Sequence, residues 1–163
     1  MEFIRLDVKD EKAVESMSSM AYAIVREHFD PIIGKAQNDY MLEKFQTVSA
    51  IRDQLVHGYQ YFFAKEEGRT IGFLAYYPKH ECMYLSKFYL YKEERGKGYS
   101  RKMLDFVIQK TREAGLSGIE LNVNRNNDAI LAYEKLGFVK VREEKNDIGQ
   151  GFFMDDFVYW LDI

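Results

Sequence analysis

A chain of 163 residues, 47% apolar and 30% charged, can bury about 70% of its unfolded surface and needs neither disulfide nor metal to hold a core. That composition excludes disorder, collagen-like repetition and low complexity. Its 23 basic and 26 acidic residues leave a net charge of −3, which is not the footprint of a nucleic-acid binder. The lone Cys82 cannot close an internal disulfide and reads as a strand residue kept reduced. No apolar run approaches the ~18–20 residues that span a bilayer, and Met1 to Asp7 lacks the basic-then-apolar order of a signal peptide. The expectation is a cytoplasmic, non-membrane protein with one domain over residues 1–163.

In chain order, residues 2–6 alternate as a short strand, and Asp10 is placed to cap a helix. The apolar positions of that helix, Ala13, Val14, Met17, Ala21, Ile24 and Val25, recur at helical spacing, with Asp30-Pro31 as its expected break. Shorter helical patterns cover 38–46 and 49–57. Aromatic and β-branched runs then predict strands at Tyr59–Lys65 and Thr70–Tyr77, joined by a Glu66-Glu67-Gly68-Arg69 turn. A third strand, Cys82–Tyr91, follows a break at Pro78-Lys79-His80. Next come a helix at about 98–114 closed by Gly115, a strand at 118–124, a helix at about 127–136 closed by Gly137, and strands at 138–144 and 152–161. Hairpins and crossovers together imply a mixed α/β fold with helices on both faces of the sheet.

Two segments carry chemical signals. In Glu94-Arg95-Gly96-Lys97-Gly98-Tyr99-Ser100-Arg101, a glycine-rich strand-to-helix turn lets backbone N–H groups converge on an anion at the helix N-terminus. Arg95, Lys97 and Arg101 add three cations. By itself the segment reads equally as a tight turn with solvated basic residues. A dinucleotide fingerprint fails because Arg101 stands where the third glycine belongs, and no P-loop sequence exists. The second segment is Asn126-Asn127-Asp128-Ala129-Ile130-Leu131-Ala132-Tyr133-Glu134-Lys135-Leu136-Gly137-Phe138, with Asn126 placed to cap a helix. Ala129, Ile130, Tyr133 and Leu136 fall on one face of that helix. A tyrosine there is ordinarily a core residue.

Taken together, Arg-Gly-x-Gly-x-Ser opening a helix and Asn-x-x-Ala-x-x-x-Tyr-x-x-x-Gly-Phe about 25 residues later resemble the GNAT superfamily of acetyl-CoA-dependent N-acetyltransferases. The resemblance is specific over 85–138 and extends loosely to the whole chain, including the Gly68-Arg69-Thr70-Ile71-Gly72-Phe73 hairpin. Arg95 and Gly98 match the family's phosphate-turn pattern, and Ser100 departs mildly from its final Gly/Ala. The resemblance implies a central mixed, mostly antiparallel sheet of six to seven strands flanked by about four helices. It further implies acetyl-CoA as acetyl donor, with no metal. Backbone of Phe88, Tyr89 and Leu90 would pair with the pantetheine arm beside a splay from the 118–124 strand. The N–H groups of Gly96, Lys97, Gly98, Tyr99, Ser100 and Arg101 would hold the pyrophosphate, with Arg95 beside them. Asn126 would contact pantetheine, and Tyr133 would lie near the sulfur as the catalytic acid.

The acceptor implied is a primary amine, small, polyamine-like or amino-acid-like. A protein or peptide N-terminal acetyltransferase and a non-catalytic acyl-CoA-binding module are the alternatives. Nucleic acid and membrane are not expected as partners, and a homodimer is one possible assembly. An amine with pKa near 10.4 is neutral in about one molecule in a thousand at pH 7, so a base or relay must take its proton. Ser86, Glu81 and the pair Asp155-Asp156 are candidates that the sequence leaves unresolved. His28, His57 and His80 have no matching role, the last two reading as surface residues. The segment 29–60, with Tyr40, Phe45, Tyr59 and neighbouring Tyr61, would shape the acceptor site.

Overall fold

The computed structural model describes residues 1–163. The chain divides into two compact units: Met1–Tyr77 with Lys87–Met103, and Pro78–Ser86 with Leu104–Ile163.

The first unit begins with strand β1 (Glu2–Arg5) and helix α1 (Glu11–Ile33). Asp10 caps α1 as expected, its carboxylate accepting from the Ala13 N–H at 3.1 Å. The predicted break at Asp30-Pro31 does not occur. Pro31 instead lies inside the last turn, where it cannot donate the i→i−4 hydrogen bond, and the helix runs on to stop at Gly34 with φ +84°. Helices α2 (Lys35–Phe45) and α3 (Val48–Val56) follow. Strand β2 (Gln60–Glu66) then pairs antiparallel with β3 (Arg69–Lys79) and with β1. Val14, Met17, Ala21 and Ile24 of α1 pack with Ile51, Tyr61, Phe73 and Ala75. Each large side chain buried there contributes roughly 1.5–3 kcal/mol. Tyr61 is part of this core: it is fully buried and donates its hydroxyl to Gln54 Oε1 at 2.5 Å. It therefore does not line an acceptor site.

Strand β4 (Cys82–Leu90) and helix α4 (Tyr99–Glu113) each contribute to both units. The second unit adds β5 (Gly118–Asn124), α5 (Ala129–Lys135), β6 (Val139–Gly149) and β7 (Phe152–Asp162). β7 runs antiparallel along all of β5, from Gly118 opposite Asp162 to Asn124 opposite Asp156. β6 extends five residues beyond the predicted end at 144, because the hairpin turns only at Gln150-Gly151, both at positive φ. Two bulges interrupt the β6–β7 register. Ile119, Leu121 and Val123 are buried on one face of β5. Tyr159, paired with Leu121, reaches Glu134 of α5 at 3.1 Å from that same face. Glu120, Asn122 and Asn124 alternate onto the other, polar face.

The strands are hydrogen-bonded in the order β1-β2-β3-β4-β5-β7-β6. Seven strands, mostly antiparallel, with five helices bear out the expected fold class, with one helix more than the four expected. No helix is long and apolar enough to cross a membrane.

Candidate active site

In the first unit, β4 runs through a single 3-10 turn (Lys92–Glu94) into the glycine turn. Gly96 and Gly98 both take positive φ, +77° and +82°. A Cβ built on either would meet nothing within 4 Å, so the backbone faces open space. Arg95, Lys97 and Arg101 are exposed here, and α4 carries no acidic residue in its first turn. Cations at a helix N-terminus oppose the macrodipole. An anion seated on the turn would relieve that repulsion.

Sequence reasoning missed what anchors this turn. Glu94, 7% exposed, accepts a two-point ion pair from Arg69 (Nε–Oε1 3.0 Å, Nη2–Oε2 3.1 Å). Lys97 reaches Glu94 Oε2 at 3.4 Å. The Arg69 guanidinium holds the Glu94 carboxyl below its ordinary range, so the anchor is ionised at neutral pH. The only sequence signal was an acidic residue beside Arg95-Gly96. Arg95 itself folds back toward the Leu90 carbonyl at 3.3 Å.

Gly72 is the second feature that sequence did not interpret. A Cβ there would lie 2.1 Å from the Tyr89 carbonyl oxygen and 3.0 Å from Leu90 Cα. Only glycine lets β3 meet the β4 backbone this closely. Phe88, Tyr89 and Leu90 are half-buried, and the Tyr89 ring lies edge-on to Phe73 and Phe29. Burial lowers the Lys87 ammonium to about 8.

In the second unit, the parallel ladder of β4 on β5 covers Cys82–Tyr84 against Gly118–Glu120. α5 is shorter than predicted, and Asn126 does not cap it. The N-cap position falls to Asp128, which makes no side-chain cap hydrogen bond, and Asn127, 6% exposed, accepts from the Ala129 N–H at 2.9 Å in the turn before the helix. Asn126 is exposed, its own N–H held by Asn124 Oδ1. Ala129, Ile130, Tyr133 and Leu136 form the less exposed face of the helix, as the spacing implied. The Tyr133 ring lies edge-on to Phe138 at 5.9 Å. Burial pushes its phenol up to about 12, so it carries its proton at neutral pH.

The base candidates separate clearly. Glu81 is exposed in the turn before β4, its backbone carbonyl taken by Ser117. Ser86 is half-buried on β4. Asp155 is ion-paired to Arg125 at 2.9 Å, whereas Asp156 is only 3% exposed. Around Asp156 lies a polar network that the sequence did not announce. Tyr84 donates its hydroxyl to Asn122 Oδ1 at 2.9 Å, and the Asn122 amide donates to Glu144 Oε1 (3.2 Å) and Asp156 Oδ2 (3.3 Å). His57 and His80 are exposed, as expected. No three His, Cys, Asp or Glu side chains gather as a metal site.

The profile of the acetyltransferase (GNAT) family matches residues 22–138. No curated protein sequence matches the chain. Among solved structures, the fold is similar to that of PaiA N-acetyltransferase from Thermoplasma acidophilum in complex with coenzyme A. That likeness has a TM-score of 0.78 at 18% identity and covers 100% of both chains. The fold is also similar to that of ribosomal-protein-alanine N-acetyltransferase from Brucella melitensis, with a TM-score of 0.68 at 17% identity over 100% of both chains. The family profile spans most of the chain, and the glycine turn and Tyr133 helix fall within it or run to its edge: this protein belongs to the acetyltransferase (GNAT) family.

Proposed function

We propose that this protein transfers acetyl from acetyl-CoA to a primary amine, small, polyamine-like or amino-acid-like, by direct attack without a covalent enzyme intermediate. The observation that carries the reading is the cationic glycine turn at the N-terminus of α4, with open space over Gly96 and Gly98. A diphosphate fits such a turn through backbone N–H groups and the helix dipole. The coenzyme A complex of the PaiA enzyme, a structure of similar fold, supports the same reading. Residues 1–163 act as one catalytic domain in this account.

Acetyl-CoA supplies a thioester already activated for attack. The N–H groups of Gly96 to Arg101 bind the pyrophosphate, with Arg95 and Lys97 adding screened attraction. The backbone of Phe88, Tyr89 and Leu90 pairs with the pantetheine arm as an added strand, and Asn126 contacts its far end. The close packing of β4 on Gly72 supports a fixed position for that backbone. Tyr133, protonated at neutral pH, gives a proton or hydrogen bond to the departing sulfur.

The test is a turnover screen of amines, amino acids and peptides with acetyl-CoA, read by thiol release and by mass of the acetylated product. Acetylation of one amine class above background is expected. Absence of thiol release across the whole panel, with the protein folded, overturns the reading. Turnover confined to peptide N-termini moves the acceptor class to protein substrates.

A further inference from the structure

The chain buries three carboxylates, Glu94, Glu120 and Asp156, and they are not treated alike. Glu94 has Arg69 and Lys97. Glu120, 6% exposed, has Lys79 Nζ at 3.0 Å and Arg142 Nη2 at 2.9 Å. Buried carboxylates are normally compensated in this way, because an uncompensated charge away from water is expensive. Asp156, the most buried of the three, has no cation within ion-pair distance. Its side-chain partner is the neutral Asn122 amide, shared with Glu144. The arginines of the surrounding strands and loop are committed elsewhere, Arg142 to Glu120 and Glu144, and Arg125 to Asp155 and Glu143.

The groups facing Asp156 are Asn122 and Asn124 from β5 and Glu144 from β6, while Asp155, beside it on β7, alternates onto the other face. Tyr84 of β4 lies behind Asn122. Tyr84, Asn122 and Glu144 are half-exposed and rim the position. The face is the one turned away from α5. Asp156 is therefore the least solvated carboxylate of this face and the one without an ion-pair partner, whereas Glu144 is paired with Arg142.

We infer that Asp156 is the residue that receives the acceptor's ammonium group and takes its proton, the base that the sequence left unassigned. The inference rests on the acetyltransferase reading and deepens it: the acceptor is cationic, and Asp156 selects it. In the step, the ammonium gives one proton to the Asp156 carboxylate, and the nitrogen lone pair forms the C–N bond to the acetyl carbonyl carbon. The C–S bond breaks with its electron pair on sulfur, which takes a proton. The second nitrogen proton leaves to water, as does the one on Asp156, with Tyr133 reprotonated in turn. One proton is released net per turnover. Burial and the nearby Glu144 and Asp155 charges raise the Asp156 carboxyl above its ordinary value, which brings a carboxylate closer to the pH at which a base works.

The experiment uses the full-length protein and its Asp156→Asn variant. With an amine that turns over, kcat/KM should fall about 10²–10³-fold, with the acetyl-CoA Kd unchanged. The acidic limb of the wild-type pH profile should disappear. A raised folded-state pKa means the carboxylate destabilises the fold as pH rises through it. The variant should therefore melt at or above wild type at pH 7, and the two should converge below pH 4. An ion-pair or packing role would give the opposite, a loss of stability at pH 7. Independently of turnover, the Asp156 carboxyl in carbon-13-aspartate-labelled protein is titrated by NMR, alone and with ethylamine, spermidine or an alanine-terminated peptide. It should titrate above ~3.9 and move down when one of these cations binds. A response to an amine without acetylation of any amine keeps the cation site and overturns the acetyltransferase reading. Acetylation by Asp156→Asn at the wild-type rate, or a carboxyl indifferent to all three probes, overturns the inference and leaves that reading standing.

Discussion

Replacing Gly72 by alanine tests whether the close approach of β3 to β4 organises the backbone proposed to hold pantetheine. The φ of Gly72 is not in the left-handed region, so alanine's backbone preference is not at issue. The added Cβ, however, would sit 2.1 Å from the Tyr89 oxygen and 3.1 Å from its carbonyl carbon. Ordinary contact is ~3.5–4.0 Å, so the β4 backbone must recede by roughly 1.5 Å. A shift of that size takes neighbouring N–H···O bonds beyond their usual ~3.2 Å limit. Two such bonds at about 1 kcal/mol each, with ~1–3 kcal/mol of overpacking, give a loss of roughly 3–5 kcal/mol. At about 2–4 °C per kcal/mol for a chain of this size, Tm should drop by roughly 6–20 °C. Gly118→Ala is the internal control. Its Cβ would lie 2.1 Å from Trp160 Cζ2, but a half-exposed ring can turn aside, so the loss should be about 1–2 kcal/mol. Thermal unfolding of the three proteins, followed by acetyl-CoA titration of whichever remain folded, measures both consequences. A Gly72→Ala protein melting within 2 °C (~1 kcal/mol) of wild type, or above Gly118→Ala, would refute the reasoning.

Gly98→Val should abolish acetyl-CoA binding, because a branched side chain occupies the open space over the turn and φ +82° strains it. Arg95→Ala and Lys97→Ala should each weaken binding less, since both residues stand in solvent. If calorimetry finds all three binding as wild type while folded, the phosphates lie elsewhere. Tyr133→Phe should keep acetyl-CoA affinity while kcat drops about 10²–10³-fold, or roughly 3–4 kcal/mol, as for an interaction made only in the transition state. Unchanged turnover would return Tyr133 to the core. Saturating acetyl-CoA, at about 100 times its Kd and in chelator, should stabilise the protein by roughly 2.7 kcal/mol, and no thermal shift would speak against the cofactor.

The element order and most element boundaries were legible because the apolar period changes sharply, as from the helical spacing before Gly58 to the alternation of β2 and β3 after it. The errors fell where one residue's local geometry competes with the pattern. Pro31 could close α1 or be carried inside its last turn, and the helix in fact runs on to Gly34 at positive φ. Asn126 reads as the α5 cap, but Asn124 holds its N–H and the helix starts two residues later than predicted, with Asp128 at the N-cap. The glycine turn and the Tyr133 helix were readable as continuous motifs. Long-range pairings were not. The Arg69–Glu94 anchor spans 25 positions, and the Tyr84–Asn122–Asp156 network joins three strands. Nothing in the sequence distinguishes Asp156 from Asp155. One strand position separates them, and alternation buries the first while leaving the second to Arg125.

The most direct test of the central claim is amide hydrogen exchange on the full chain with and without acetyl-CoA. The account predicts slowed exchange at two segments together, Phe88–Leu90, where the backbone pairs with the pantetheine arm, and Gly96–Arg101, where the N–H groups hold pyrophosphate. The control residues are in β6, where exchange should not change. Acetyl-CoA binding that leaves both segments unprotected would contradict the account.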